Sequence, residues 1–171
     1  MRPIVITAGH SNADPGAVAN DTTEAIIVTE FRNLVAAQLR ELGANPITDG
    51  SGPHNLPLAD AIRLIQPGSL AVEFHCNAGP RTATGVETLS RPDEQAFGGR
   101  LCEAISAVLG IPSRGAKGES AGQHVRLGFV RAGGVICELF FLTNPTDLLL
   151  YQANKEALAI AVADVLIAEA Q

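Results

Sequence analysis

The sequence predicts an α/β domain, a three-layer sandwich in which helices flank a mostly parallel sheet. Three observations point there. Strand-like β-branched runs alternate with stretches of helical spacing along the whole chain. Hydrophobic residues make up 46% but aromatic residues only 4%, with no Trp, so the core must be built from Ala, Val, Leu and Ile. Such small and branched residues suit helices packed on a parallel-rich sheet. The 171 residues fit one domain over 1–171, and no repeat or long linker divides them.

The elements follow in order. Pro3 to Thr7 is a β-branched strand leading into Ala-Gly-His, and Ser11 to Asn20, rich in Gly, Pro, Asp and Asn, is a loop. From Thr23 to Leu42 the residues Ile27, Phe31, Leu34, Val35, Leu39 and Leu42 recur at helical spacing, and Gly43 supplies the stop. Asn45 to Thr48 is a second strand and Asp49 to Pro53 a loop. Leu58 to Ile65 is a short helix ended by Pro67-Gly68. Leu70 to Cys76 is a buried strand and Gly85 to Ser90 another. Asp93 to Leu109 is helical up to Gly110. Ser113 to Gln123 is expected to be a Gly-rich loop, and Val125 to Val130 and Val135 to Leu139 to be strands joined by Ala132-Gly133-Gly134. Pro145 to Tyr151 begins a short helix, and Asn154 to Glu169 forms a long Ala-rich one.

Charge and composition exclude several function classes. The formal net charge is -6, and no block of Lys or Arg forms a basic patch, which argues against a nucleic-acid partner held by its phosphates. No apolar run reaches roughly 18 residues, so no membrane insertion is expected. The apolar stretch at the N-terminus is too short for a signal peptide, which predicts cytoplasmic synthesis. Three Cys, an odd number, argue against a disulfide framework; Cys76, Cys102 and Cys137 read as small buried hydrophobes.

Ligand-handling groups in open α/β sheets gather at the carboxyl ends of strands. His10 follows the first strand, His75 ends the Leu70 strand and Glu138 ends the Val135 strand. Glu24 opens the first long helix, directly after the loop that His10 begins, where a helix N-terminus tolerates its charge. Two His and a carboxylate form a zinc set with a fourth position left for water, and Glu138 is then the natural general base. Each residue also has an ordinary reading. A His after a strand is often structural, and a Glu at a helix start is often a dipole partner. Glu138 is harder to dismiss, because Val135, Ile136, Cys137, Leu139 and Phe140 around it are all apolar, and a charge there needs a metal, a partner or a raised pKa. Spacing alone leaves a metal site and a structural reading evenly balanced. Glu73 should share the face of His75, as a partner for it or as half of a cross-strand pair. Asp14 reads as a turn former, and His54 as solvent-facing.

Three stretches resemble the zinc-dependent N-acetylmuramoyl-L-alanine amidases, the family that includes bacterial cell-separation amidases and phage endolysins. Ile-Thr-Ala-Gly-His-Ser-Asn-Ala-Asp-Pro-Gly-Ala, residues 6–17, is similar to the family's strand, Gly-His and Asp-Pro-Gly-Ala loop. Val-Glu-Phe-His-Cys-Asn-Ala, residues 72–78, is followed by Gly85-Val86-Glu87. Cys-Glu-Leu-Phe-Phe-Leu-Thr-Asn-Pro-Thr-Asp, residues 137–147, completes the ordered set. The resemblance implies a mixed six-stranded sheet, one zinc ion on His10, Glu24 and His75, and Glu138 as the catalytic residue. It implies a peptidoglycan substrate cut between N-acetylmuramic acid and L-alanine. Departures include Ser11-Asn12 in place of a Gly after the first His, and Phe140 where Gly is common. Asn77, His124 and Arg131 are candidates for substrate contact. The compact length resembles single-domain endolysins, so the expected setting is a monomeric phage lysis enzyme. A zinc peptidase cutting within the stem peptide and a non-catalytic wall-binding module are the alternatives.

Overall fold

The computed structural model describes all residues except 12 and 122–126. Its elements are β1 (Ile4–Ala8), β2 (Val18–Ala19), β3 (Thr22–Thr23), α1 (Glu24–Glu41), β4 (Ile47–Thr48), α2 (Leu58–Arg63), β5 (Leu70–Asn77), β6 (Val86–Ser90), α3 (Gln95–Leu109), β7 (Ser113–Gly118), α4 (Gly128–Arg131), β8 (Val135–Phe141) and α5 (Pro145–Ala170). Six strands form one sheet in the order β4-β1-β5-β8-β6-β7, and β2 and β3 pair as a separate small hairpin. The β6–β8 pairing is antiparallel and the other pairings of the large sheet are parallel. The expected mixed, mostly parallel six-stranded sheet is therefore present.

This topology creates one chemically mixed edge. The carboxyl ends of β1, β5 and β8 lie beside the amino ends of β6 and β7, because the latter two run the opposite way. Side chains alternate along each strand, so the two faces differ. Toward α1, α3 and α5 the sheet presents Ile6, Val72, Phe74, Val86, Cys137 and Leu139, all within one continuous apolar core. The opposite face carries a smaller cluster in which Val5, Ala71, Leu89 and Ile136 pack with Phe129 and Val130. Among the described residues only short α2 and α4 lie near this second layer.

Helix starts are encoded locally. Thr23 caps α1, its hydroxyl accepting from the Ile26 N–H at 3.3 Å. Asn144 caps α5, accepting from Thr146 N at 2.9 Å, with Pro145 at the first helical position. That single cap drives one helix from Pro145 to Ala170, where the sequence suggested two. Two further expectations are corrected. Ser113 to Gly118 is a strand inside the segment expected to be loop; at the sheet edge it needs pairing on one side only, which β6 supplies. Gly128 to Arg131 is a helical turn where a strand was expected, and it turns the neighbours Phe129 and Val130 into one apolar cluster, where a strand would send them to opposite faces.

The candidate metal centre and active site

The site lies in a cleft of about 850 Å³ at the mixed edge of the sheet. His10 is carried just past β1, Glu24 by the first turn of α1, and His75 and Glu138 by adjacent positions of β5 and β8, where they are direct cross-strand partners. One ligand atom from each of His10, Glu24 and His75 lies within 4.8 Å of the other two.

Glu24 is the hub. Its Oε1 lies 3.1 Å from His75 Nδ1 and accepts from Cys76 N at 2.9 Å. Its Oε2 lies 3.4 Å from His10 Nε2 and accepts from Ala17 N at 3.0 Å. Burial pushes the Glu24 pKa up, but the hydrogen bond and charge of His75 and the two backbone donors outweigh it, and the group sits below the ordinary value. Each imidazole turns its other nitrogen to a second carboxylate. His75 Nε2 lies 3.2 Å from Glu73 Oε1, and Glu73 Oε2 in turn accepts from the Thr7 hydroxyl at 3.1 Å. This carboxylate–imidazole pairing fixes the ring orientation of metal-binding His residues. His10 Nδ1 lies 3.3 Å from Asp14 Oδ2, too poorly aimed for a hydrogen bond, and is left buried without one. Asp14 also shapes its turn, its Oδ1 accepting from Gly16 N at 3.3 Å.

Two glycines make room for the ligands. A Cβ on Gly9 would stand 2.0 Å from His75 Cε1, and one on Gly16 would stand 2.6 Å from Glu24 Oε2 and 2.7 Å from His10 Cδ2. Gly16 also has φ +65°, which favours glycine. A buried network anchors the His10 end. Arg32, fully buried, is ion-paired with Asp49 and donates to His54 O at 3.0 Å. Asp49 Oδ2 accepts from Ala8 N at 3.1 Å, and Asn55 Nδ2 donates to the carbonyls of Ala8 and His10.

Burial depresses the His75 pKa, but its bonds to Glu24 and Glu73 and the charge of Glu138 overcome this and hold it well above the ordinary value. Glu138 differs from the other acids. No hydrogen bond reaches it among the described residues, and its Oε2 is buried without a partner. Burial pushes its pKa up, the His75 charge opposes, and Glu24, Glu87 and Glu73 add to the rise, giving about 7. Such a value suits a general base at neutral pH.

The donor set fits a divalent cation. Two imidazoles and a carboxylate are the ligand types of catalytic zinc. They converge, and the backbone leaves space for them. All of the site's described residues belong to one chain.

The remaining candidates separate. Asn77 lines the cleft, donates to Glu87 Oε1 at 3.0 Å and accepts from Ala78 N at 3.0 Å. Arg131 lies outside the cleft, 3.6 Å from Glu119, against a separate depression of about 390 Å³. His124 falls outside the described residues. Cys76 and Cys137 point to the helix-covered face, and Cys102 is buried beneath α3. Sequence reasoning quoted Glu87 in a motif without giving it a role, and missed Arg114 and Lys117, which pair with it, and the Arg32–Asp49 pair.

An open α/β sheet in which two imidazoles and a carboxylate converge beside a Glu of raised pKa has the arrangement that metal-assisted hydrolysis uses. Residues 4–168 match the N-acetylmuramoyl-L-alanine amidase family, and the chain belongs to that family of cell-wall hydrolases. It is similar to the putative N-acetylmuramoyl-L-alanine amidase from Neisseria meningitidis, with 42% identity and a TM-score of 0.90 over 98% of this chain and 95% of that one. It is 30% identical to the uncharacterized protein YqiI of Bacillus subtilis (strain 168) over 151 residues, 85% of this chain and 73% of the relative. The amidase AmiC2 of Nostoc punctiforme shares the fold at 17% identity, with a TM-score of 0.85 over 98% of this chain and 96% of that one. Among the described residues no helix is long and apolar enough to cross a membrane.

Proposed function

We propose that this amidase hydrolyses the bond between N-acetylmuramic acid and L-alanine in peptidoglycan through one zinc ion held by His10, Glu24 and His75, with Glu138 as general base and then general acid. One observation carries the reading: three ligand atoms within 4.8 Å of one another, with His75 the direct cross-strand neighbour of a Glu that has no hydrogen-bond partner among the described residues. A bound zinc ion would supply Lewis-acid chemistry, making water more acidic near neutral pH and polarising the scissile carbonyl. Glu138 in its carboxylate form takes a proton from the attacking water and then delivers it to the departing nitrogen of L-alanine. Glu73 holds the His75 ring, and the Cys76 and Ala17 N–H groups hold Glu24. Asp14 flanks His10.

The setting proposed with it is that of a monomeric phage lysis enzyme, made in the cytoplasm and acting on the wall after release.

Digestion of purified peptidoglycan tests the chemistry. The expected products are a free lactyl carboxylate on muramic acid and a new L-alanine N-terminus. A new end inside the stem peptide would make the protein a peptidase instead. Protein purified without chelator should carry stoichiometric zinc; zinc-free protein that added zinc does not activate would overturn the metal assignment.

A further inference from the structure

The cleft is acidic on its floor, with Glu24, Glu73, Glu87 and Glu138 around it, and no Lys or Arg stands among its described lining residues. Among the described residues, positive charge enters at one place, behind Glu87. Arg114 Nε and Lys117 Nζ both donate to Glu87 Oε2 at 2.6 Å, and Asn77 Nδ2 donates to Oε1. Burial alone would raise the Glu87 pKa, yet these donors hold it below the ordinary value. One carboxylate against two cations leaves this spot with a net charge of about +1 in a molecule whose net charge is -6.

The arrangement is built by a bulge. In a regular strand, residues three apart point to opposite faces. Here Val86 pairs with Ser113 and Thr88 with Ala116, so β7 fits one extra residue opposite Glu87. Gly115, at φ +77°, takes the turn. The result is that Arg114 and Lys117 both reach the cleft-side carboxylate. A guanidinium centred 5.1 Å from the Phe141 ring centroid gains a second support. Among the described residues the Nη groups of Arg114 donate to nothing, and its side chain is 39% exposed. It is thus fixed at one end and open at the other.

We propose that Arg114 is a specificity residue that binds the free α-carboxylate of the stem-peptide residue following L-alanine, with Glu87, Lys117 and Phe141 holding it in place. This rests on the amidase reading for the identity of the peptide. Glu87 is the direct cross-strand partner of Glu138, and β7 is one strand further, so Arg114 stands roughly 10 Å from the reacting end at about 4.8 Å per strand. An extended peptide covers that in about three residues at ~3.4 Å each, fewer when a side-chain carboxylate and a long Arg reach toward each other. Charge-assisted guanidinium–carboxylate bonds discriminate strongly against an amide in the same position.

Calorimetric binding of two peptides to the purified protein tests this without using catalysis. The peptides are L-Ala-γ-D-Glu-L-Lys and its isoglutamine counterpart, in which the α-carboxylate is an amide. The wild type should bind the carboxylate form about tenfold or more tightly. Arg114→Gln should bring the two affinities together, Arg114→Lys should keep part of the preference, and Arg100→Gln, remote on α3, should keep all of it. Lys117 still pairs with Glu87 in both Arg114 variants, and an unchanged far-UV spectrum verifies the fold. Equal binding of both peptides by the wild type, or an undiminished preference in Arg114→Gln, overturns the proposal. A preference that depends on Arg114 in a protein that never cleaves muramoyl-L-alanine would instead uphold this site and sink the amidase mechanism.

Discussion

The two faces of the central sheet are made by the same strands, yet they hold opposite chemistry. On β5, Phe74 and Cys76 face the long helices while Glu73 and His75 face the cleft. On β8, Cys137 faces the helices and Glu138 the cleft. On the helix side burial pushes the Cys76 and Cys137 thiols well above their ordinary pKa, so they remain neutral and pack as small apolar groups. On the cleft side the acids come with assigned partners. Glu73 has Thr7 and His75, Glu24 has His75 and two backbone donors, and Glu87 has Asn77, Arg114 and Lys117. Among the described residues Glu138 has none, and its pKa is the one driven to about 7. The lesson is that burial alone does not create reactivity in this sheet. Reactivity arises where one buried acid is left unpartnered among several that are satisfied.

The largest effect should come from exchanging neighbours across the sheet. Glu138→Gln keeps the shape and removes the base, so turnover on peptidoglycan should fall about 10²- to 10⁴-fold. Cys137→Ala, one residue away on the other face, should cost about 1–2 kcal/mol of stability through a small cavity and leave turnover within about twofold. If the two substitutions affected turnover alike, the division of labour between the faces would be wrong.

Next in size is the seam that joins the faces. The Arg32–Asp49 pair is fully buried and ties α1 to the loop under His10. Removing one partner leaves an uncompensated buried charge, so Arg32→Ala or Asp49→Ala should destabilise by about 3–5 kcal/mol in chemical denaturation. Replacing both with apolar residues should recover much of that loss. Either single change should also weaken metal binding, because Asp49 holds Ala8 N and the adjacent loop's Asn55 holds the carbonyl of His10.

Proton linkage gives a third test. The folded-state pKa of Glu138, about 7, exceeds its ordinary 4.5. Between those values the folded protein binds more protons than the unfolded one. Metal-free protein should therefore hold this stability in full below pH 4.5 and lose it as pH rises toward and past 7, by at most about 3 kcal/mol. The raised His75 pKa acts in the same direction at higher pH. Glu138→Gln should flatten the loss between pH 5 and 8 in thermal melts. Metal binding should show the opposite trend, tightening as pH rises, because His75 must give up its proton to coordinate. A metal-free protein whose stability rose from pH 5 to 8 would contradict the assignment.

Much of this site was legible in the sequence because periodicity placed β1 and β5, which carry His10 just past the end of one and His75 near the end of the other, and the helix start placed Glu24. Glu138 was found by its apolar neighbours rather than by a strand end, because β8 runs on to Phe141 and leaves it in mid-strand. What was not legible depends on departures from regular period. The β7 bulge hid a strand inside a Gly-rich segment and brought together two cations that strict alternation would separate. A second register shift, between His75–Asn77 and the facing stretch of β8, sends Phe140 into the helix-side core beside Leu139, although strict alternation would return it to the face of Glu138. Arg131, a candidate for substrate contact in the sequence, belongs to a short helix and pairs with Glu119 instead. The Arg32–Asp49 pair links residues whose proximity only the tertiary fold reveals.

The smallest effect separates two glycines that look alike in sequence. Neither Gly99 in α3 nor Gly115 in β7 has any atom near the place a Cβ would occupy. Packing therefore predicts that alanine is harmless at both, whereas backbone conformation predicts opposite signs. Gly99 has ordinary helical geometry, so Gly99→Ala should stabilise by about 0.5–1 kcal/mol. Gly115 sits at φ +77°, where an L side chain costs about 1–2 kcal/mol, so Gly115→Ala should lower Tm by several degrees at roughly 2–4 °C per kcal/mol. The decisive reading is on binding. If the bulge exists to aim Arg114 and Lys117 at Glu87, Gly115→Ala should also reduce the preference for the carboxylate peptide, and Gly99→Ala should not. A Gly115→Ala protein that lost stability but kept the full preference would show that the bulge is only a way of ending the sheet, and that Arg114 finds its place without it.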